Sequence, residues 1–116
     1  SRTWVGSVRI IRHDLLETEE EILIYRIRVN LPDGGLLEMM ERIVGSAGHS
    51  ETTTYSFHWQ DRDGGLVRRW DNAPHHPELD NFPHHVHLHD ETNVISGECV
   101  NASDVLAEVD AYFRQQ

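Results

Sequence analysis

Lysine is absent from this chain, and cysteine occurs once, as Cys99. Without lysine there is no phosphate-loop lysine, and the paired glycines Gly34-Gly35 and Gly64-Gly65 read as turns rather than as a nucleotide-binding fingerprint. One cysteine cannot form an internal disulfide, which fits a reducing compartment and leaves folding to the hydrophobic core. Nothing around Cys99 marks it as a nucleophile, so a small buried residue is expected there. No apolar run approaches the roughly 20 residues of a membrane helix, and the amino terminus lacks the basic-then-apolar order of a signal peptide. The expectation is a soluble, cytoplasmic protein with no membrane contact.

Positive charge is scarce too: ten arginines face twenty acidic residues, for a formal net charge of -10. Affinity for nucleic acid that ignores sequence comes from neutralising phosphates, so this balance disfavours passive binding of that kind. A local cluster of arginines could still supply it. The same imbalance favours a basic partner, and a salt-rich cytoplasm is a second explanation.

The 116 residues are enough for one domain, 1–116, around one core. Trp4 to Arg12 alternates roughly between apolar and polar, and Ile22 to Leu31 puts Leu23, Tyr25, Ile27, Val29 and Leu31 on one face, with Arg26, Arg28 and Asn30 on the other. Asp14 to Glu21 is acidic and reads as a solvated loop. Pro32-Asp33-Gly34-Gly35 supplies a turn, and Leu36 to Val44 returns as the partner strand.

Gly45 to Glu51 is small and polar, which predicts a flexible connection. Thr52 to Gln60 then alternates cleanly, with Tyr55, Phe57 and Trp59 opposite Thr54, Ser56 and His58, and Asp61 to Gly65 turns the chain into Leu66 to Asp71. Pro74 to Pro83 should be irregular, and His84 to His89 extended. At the carboxyl end, Val105, Leu106, Val109, Tyr112 and Phe113 fall at helical spacing behind Asn101 or Ser103 as cap. The architecture is α+β: an antiparallel meander of about five or six strands with one C-terminal helix packed on it. Trp4, Trp59 and Trp70 are expected to serve packing rather than base stacking.

What the chain has in quantity is histidine, and most of it falls between His75 and His89. Histidine's ordinary pKa lies near neutrality, so such a concentration points to proton transfer, metal ligation or both. If His84 to His89 is extended, period-two geometry sends His85, His87 and His89 to one face, where three imidazoles could hold zinc or another divalent metal. The rival reading needs no metal. One histidine takes the proton of a ribose 2′ hydroxyl, a second protonates the leaving oxygen, and an arginine stabilises charge on the phosphorus. Arg68 and Arg69 precede Asp71, which could orient a histidine by accepting from its second ring nitrogen. For any one of these histidines, a locally hydrogen-bonded surface imidazole is the competing explanation.

Tyr55-Ser56-Phe57-His58-Trp59-Gln60-Asp61, then Arg69-Trp70-Asp71-Asn72-Ala73-Pro74-His75-His76, then Phe82-Pro83-His84-His85-Val86-His87 together resemble the TumE family. That resemblance implies the toxin of a type II toxin–antitoxin module, partnered by a helix-turn-helix antitoxin. His89 lies outside the family's pattern. Ribonuclease activity is an analogy with other small toxins of such modules. The preferred expectation is therefore a metal-independent ribonuclease with RNA as substrate. His84, His85 and His87 form its acid/base set, Arg69 stabilises phosphate charge, Asp71 orients a histidine, and His58, His75 and His76 are secondary candidates. A metal-binding protein or metal-dependent hydrolase built on His85, His87 and His89 is the first alternative, and a non-catalytic interaction module the second. Self-association stays open.

Overall fold

The alternating runs become strands of one sheet. The structure, a computed structural model, describes residues 5–116; Trp4 lies outside them. Its strands are β1 (Val5–Leu15), β2 (Glu21–Asn30), β3 (Leu36–Ser46), β4 (His49–Gln60), β5 (Leu66–Asp71), β6 (His85–Leu88) and β7 (Val94–Ser96), followed by the helix α1 (Ala102–Arg114). They form a seven-stranded sheet in sequential order, with every neighbouring pair antiparallel. This is the expected α+β meander with seven strands rather than five or six. The added strand, β7, has three residues, too few for alternation to reveal it.

Two connections are shorter than their composition suggests. Gly45 to Glu51 is not a flexible link: β3 runs to Ser46 and β4 starts at His49, joined by Ala47 and Gly48 at φ 52° and 77°. Positive φ at both central residues is the backbone of a tight hairpin turn whose twist matches the flanking strands. The acidic stretch after β1 likewise narrows to residues 16–20, since Asp14 and Leu15 still pair with Ile22 and Glu21.

One face of the sheet carries the core. Val29, Leu37, Met39, Tyr55, Phe57, Trp59, Trp70 and Val86 pack with Val105, Val109 and Phe113 of α1 in one buried cluster. Spacings of four residues bring those three helix positions onto one stripe. The helix starts at Asn101, whose side chain accepts from the Asp104 N–H while the Asp104 carboxylate accepts from the Asn101 N–H, satisfying two otherwise orphaned donors. Leu106 is half-buried, and Tyr112 is exposed with its ring edge-on to Trp59. Cys99, expected to be buried, is exposed in the segment between β7 and α1. Among the described residues no helix is long and apolar enough to cross a membrane.

Candidate functional site

The face opposite the helix is polar, and strand register decides which of its residues meet. Directly opposed residues of an antiparallel pair share a face. One row across the sheet reads Arg9, Arg26, Met40, Ser56, Asp71, His85, Ser96; the next reads Ser7, Arg28, Glu38, His58, Arg69, His87, Val94. Asp71 therefore stands beside His85, and Arg69 beside His87, on the same side as His58.

These side chains converge. His85 Nε2 lies 2.9 Å from Asp71 Oδ1, and His87 Nε2 3.5 Å from Asp71 Oδ2. Arg69 donates from Nε to Asp71 Oδ2 at 3.1 Å, and the Ala73 N–H donates to Oδ1 at 3.0 Å. The far nitrogen of each ring is also held: His85 Nδ1 lies 2.9 Å from the Pro83 carbonyl oxygen and His87 Nδ1 2.9 Å from that of Glu91. A carbonyl only accepts, so both Nδ1 atoms carry hydrogen and both Nε2 atoms face the carboxylate. Asp71, His85 and His87 are all buried.

The irregular segment between β5 and β6 completes the site. Asn72 extends β5 past its last strand pair, accepting the Tyr55 N–H and donating to the Thr53 carbonyl. The chain then carries His76 back over the cluster, its ring centroid 5.1 Å from that of His85 and 6.2 Å from that of His87. A cis Phe82–Pro83 bond precedes the entry into β6. His58, on β4, lies with Nδ1 3.5 Å from Arg69 Nη1 and Nε2 3.2 Å from Gln60 Oε1. A groove of about 430 Å³ runs over this part of the face, lined among others by Arg26, Glu38, Ser56, His58 and Arg69.

Thus His85, His87, Asp71 and Arg69 assemble directly, with His76 beside them and His58 reached through Arg69. His84 does not join. It falls on the other face by strand alternation, where Tyr55 Oη lies 2.7 Å from its Nδ1. Burial, chiefly, pushes the Tyr55 phenol up to about 12, aided by the nearby charges of Cys99 and Asp71 and opposed by a hydrogen bond with the Val100 backbone. It stays protonated at neutral pH and shares a hydrogen bond with His84 Nδ1. His75 is exposed in the loop.

The expected face of His85, His87 and His89 does not form. Strand β6 ends at Leu88, and His89 takes φ 59°, which breaks the alternation and sends it to a different cavity, shared with Trp59, Arg68 and Tyr112. Asp71 occupies the third place instead. Arg9, Arg12 and Arg42, which no motif singles out, are set by register on the same face as Arg26 and Arg28. The available signal was the polar alternation of β2, which already turns Arg26 and Arg28 away from its apolar side.

A single sheet covered on one side by a helix, with a buried imidazole–carboxylate cluster and arginines on the other, defines a small α+β protein with an open polar face. The family model described as Toxin TumE matches residues 3–115, and the chain belongs to that toxin family. Membership implies an antitoxin partner. Neither a curated protein nor a solved structure matches the chain.

Proposed function

We propose that this toxin cleaves RNA at the Asp71–His85–His87–Arg69 centre. One observation carries the reading: despite the acidic whole, register gathers Arg9, Arg12, Arg26, Arg28, Arg42 and Arg69 on the face that bears the histidines. With strands about 4.8 Å apart, the row from Arg26 to His85 spans about 19 Å, enough to follow several units of a single strand. Some of that charge is met locally, Arg12 by Asp14 and Arg28 by Glu38. An arginine track leading into a groove is nevertheless the electrostatic footprint of a phosphate backbone.

Proton transfer falls to the more accessible imidazoles. His76 and His58 are half-buried, whereas His85 is almost wholly enclosed. One of the two takes the 2′ hydroxyl proton as the oxygen attacks phosphorus; the other protonates the departing 5′ oxygen. The guanidinium of Arg69, anchored through Nε by Asp71, stabilises charge on the non-bridging oxygens. These proton transfers need no metal. Incubation of purified protein with total RNA, with and without chelator, tests the reading: cleavage lost in His76→Ala and Arg69→Ala variants supports it, and intact RNA at toxic protein concentrations overturns it.

The antitoxin, expected to be of helix-turn-helix type, has a separate surface available. Val8 and Ile10 are 69% and 65% exposed, and they pair with Ile27 and Tyr25 on the helix-bearing side of the sheet, at the edge strand. An apolar strip of this kind marks a protein contact. We place the antitoxin there.

A further inference from the structure

We propose that Asp71, His85 and His87 form a binding site for a divalent transition-metal ion of the zinc class. The proposal deepens the RNA-cleavage reading and rests on the same cluster, though not on its activity. The donor set is two imidazoles and a carboxylate, the ligand complement of catalytic zinc sites and of open-sided iron(II) sites. Their donor atoms all lie within 4.8 Å of one another. Ligands at about 2.0–2.2 Å from a tetrahedral ion stand about 3.3–3.6 Å apart. His85 Nε2 lies 2.9 Å from one Asp71 oxygen and His87 Nε2 3.5 Å from the other, and with one donor atom per residue the set spans at most 4.8 Å, so the ligands close onto the ion by a shift of about an ångström.

Orientation is the stronger argument. Each imidazole is fixed by an Nδ1–H donated to a backbone carbonyl, that of Pro83 for His85 and that of Glu91 for His87. In the neutral ring this leaves the Nε2 lone pair aimed at a carboxylate whose oxygens also offer lone pairs. Such an arrangement calls for a positive centre between the three groups. The carboxylate is steadied in turn by Arg69 Nε on one oxygen and the Ala73 N–H on the other. Every prospective ligand thus has an outer partner, which is what metal-ligating histidines and carboxylates ordinarily have. With three protein ligands, the coordination sphere keeps an open position, and His76 is the nearest further imidazole.

The test uses the full chain, purified without a histidine tag, stripped with chelator and titrated with Zn²⁺ or Co²⁺. One equivalent should bind, with visible Co²⁺ absorption of a low-coordinate nitrogen–oxygen site, and Zn²⁺ should raise Tm. Asp71→Asn and His87→Ala, checked for native circular dichroism, should each weaken binding about 100-fold or more. His89→Ala should bind as the parent does. Absence of stoichiometric binding, binding untouched by Asp71→Asn and His87→Ala, or binding lost in His89→Ala would each overturn the site. Metal bound in one equivalent by a protein that leaves RNA intact would uphold this inference and sink the cleavage reading; metal-free protein that cuts RNA and binds no ion would do the reverse.

Discussion

His85 Nε2 lies 2.9 Å from Asp71 Oδ1 because the two residues are register partners on β6 and β5 and point to the same face. Both are buried, so the contact is made out of reach of competing water. Removing the Asp71 carboxylate leaves the buried groups that face it, the His85 ring among them, without that partner, and an unsatisfied buried polar group costs about 1–3 kcal/mol. Asp71→Ala should therefore lower stability by that order as well as abolish activity. Urea unfolding of the variant measures the first, and growth inhibition on induction the second.

His84 and His87 stand three residues apart in sequence and serve different faces. His87→Ala or His76→Ala should reduce RNA cleavage by about 10²–10⁴-fold, the range expected when a proton-transfer group or its immediate support is lost. His84→Ala, which removes only the Tyr55 contact at 2.7 Å, should keep cleavage within a few-fold and lower stability by about 1 kcal/mol. Equal losses in initial rate for His84→Ala and His87→Ala would contradict this division.

Glu41 is buried on the core face, in register with Tyr25 and Tyr55. Burial raises its carboxyl above the ordinary value of 4.5, against a lowering hydrogen bond with Thr52. The folded chain thus holds this proton more tightly than the unfolded one. Its contribution is complete below the unfolded value and is lost as pH rises through the raised folded value. Stability should fall from pH 4.5 upward on this account, and Glu41→Gln should flatten that part of the profile. Denaturation midpoints of parent and variant at a series of pH values give the comparison.

The capping box of α1 predicts that Asn101→Ala costs about 1 kcal/mol. Because Val105, Val109 and Phe113 tie the helix into the core, the loss should appear in the global transition rather than as local fraying. Thermal unfolding followed by helical and near-ultraviolet signals together should show one shifted transition; two separated transitions would contradict that coupling.

Val8→Glu and Ile10→Glu should break the antitoxin complex while leaving the fold and the toxic activity in place. Both side chains are largely exposed, so the substitutions remove little buried surface from the isolated chain. Co-purification with the antitoxin is the measurement, and retention of the complex by the double variant would move the contact elsewhere.

Elements with a strong period were legible in the sequence. β2, β4 and α1 follow alternation or helical spacing, because burial on one side imposes that period on any sequence that folds there. The shared face of His85 and His87 was legible for the same reason. β7 was not, since three residues carry no period, and neither was the turn at Ala47-Gly48, where a flexible-looking composition folds as a tight hairpin.

Composition and pattern alone pointed to an acidic α+β chain with a C-terminal helix and a histidine-rich segment after the aromatic strand, and the motifs between Tyr55 and His87 carried the family resemblance. They could not choose the third member of the cluster, because side-chain alternation reports only within one strand. Joining Asp71 to His85 and His87 requires the pairing of β5 with β6 across an irregular segment of Asn72 to His84. Excluding His89 requires the backbone to leave the strand at φ 59°. Gathering arginines from β1, β2, β3 and β5 onto one face requires the register of the whole sheet. Local periodicity is written in neighbouring residues; adjacency between strands arises only when long-range hydrogen bonding sets their register.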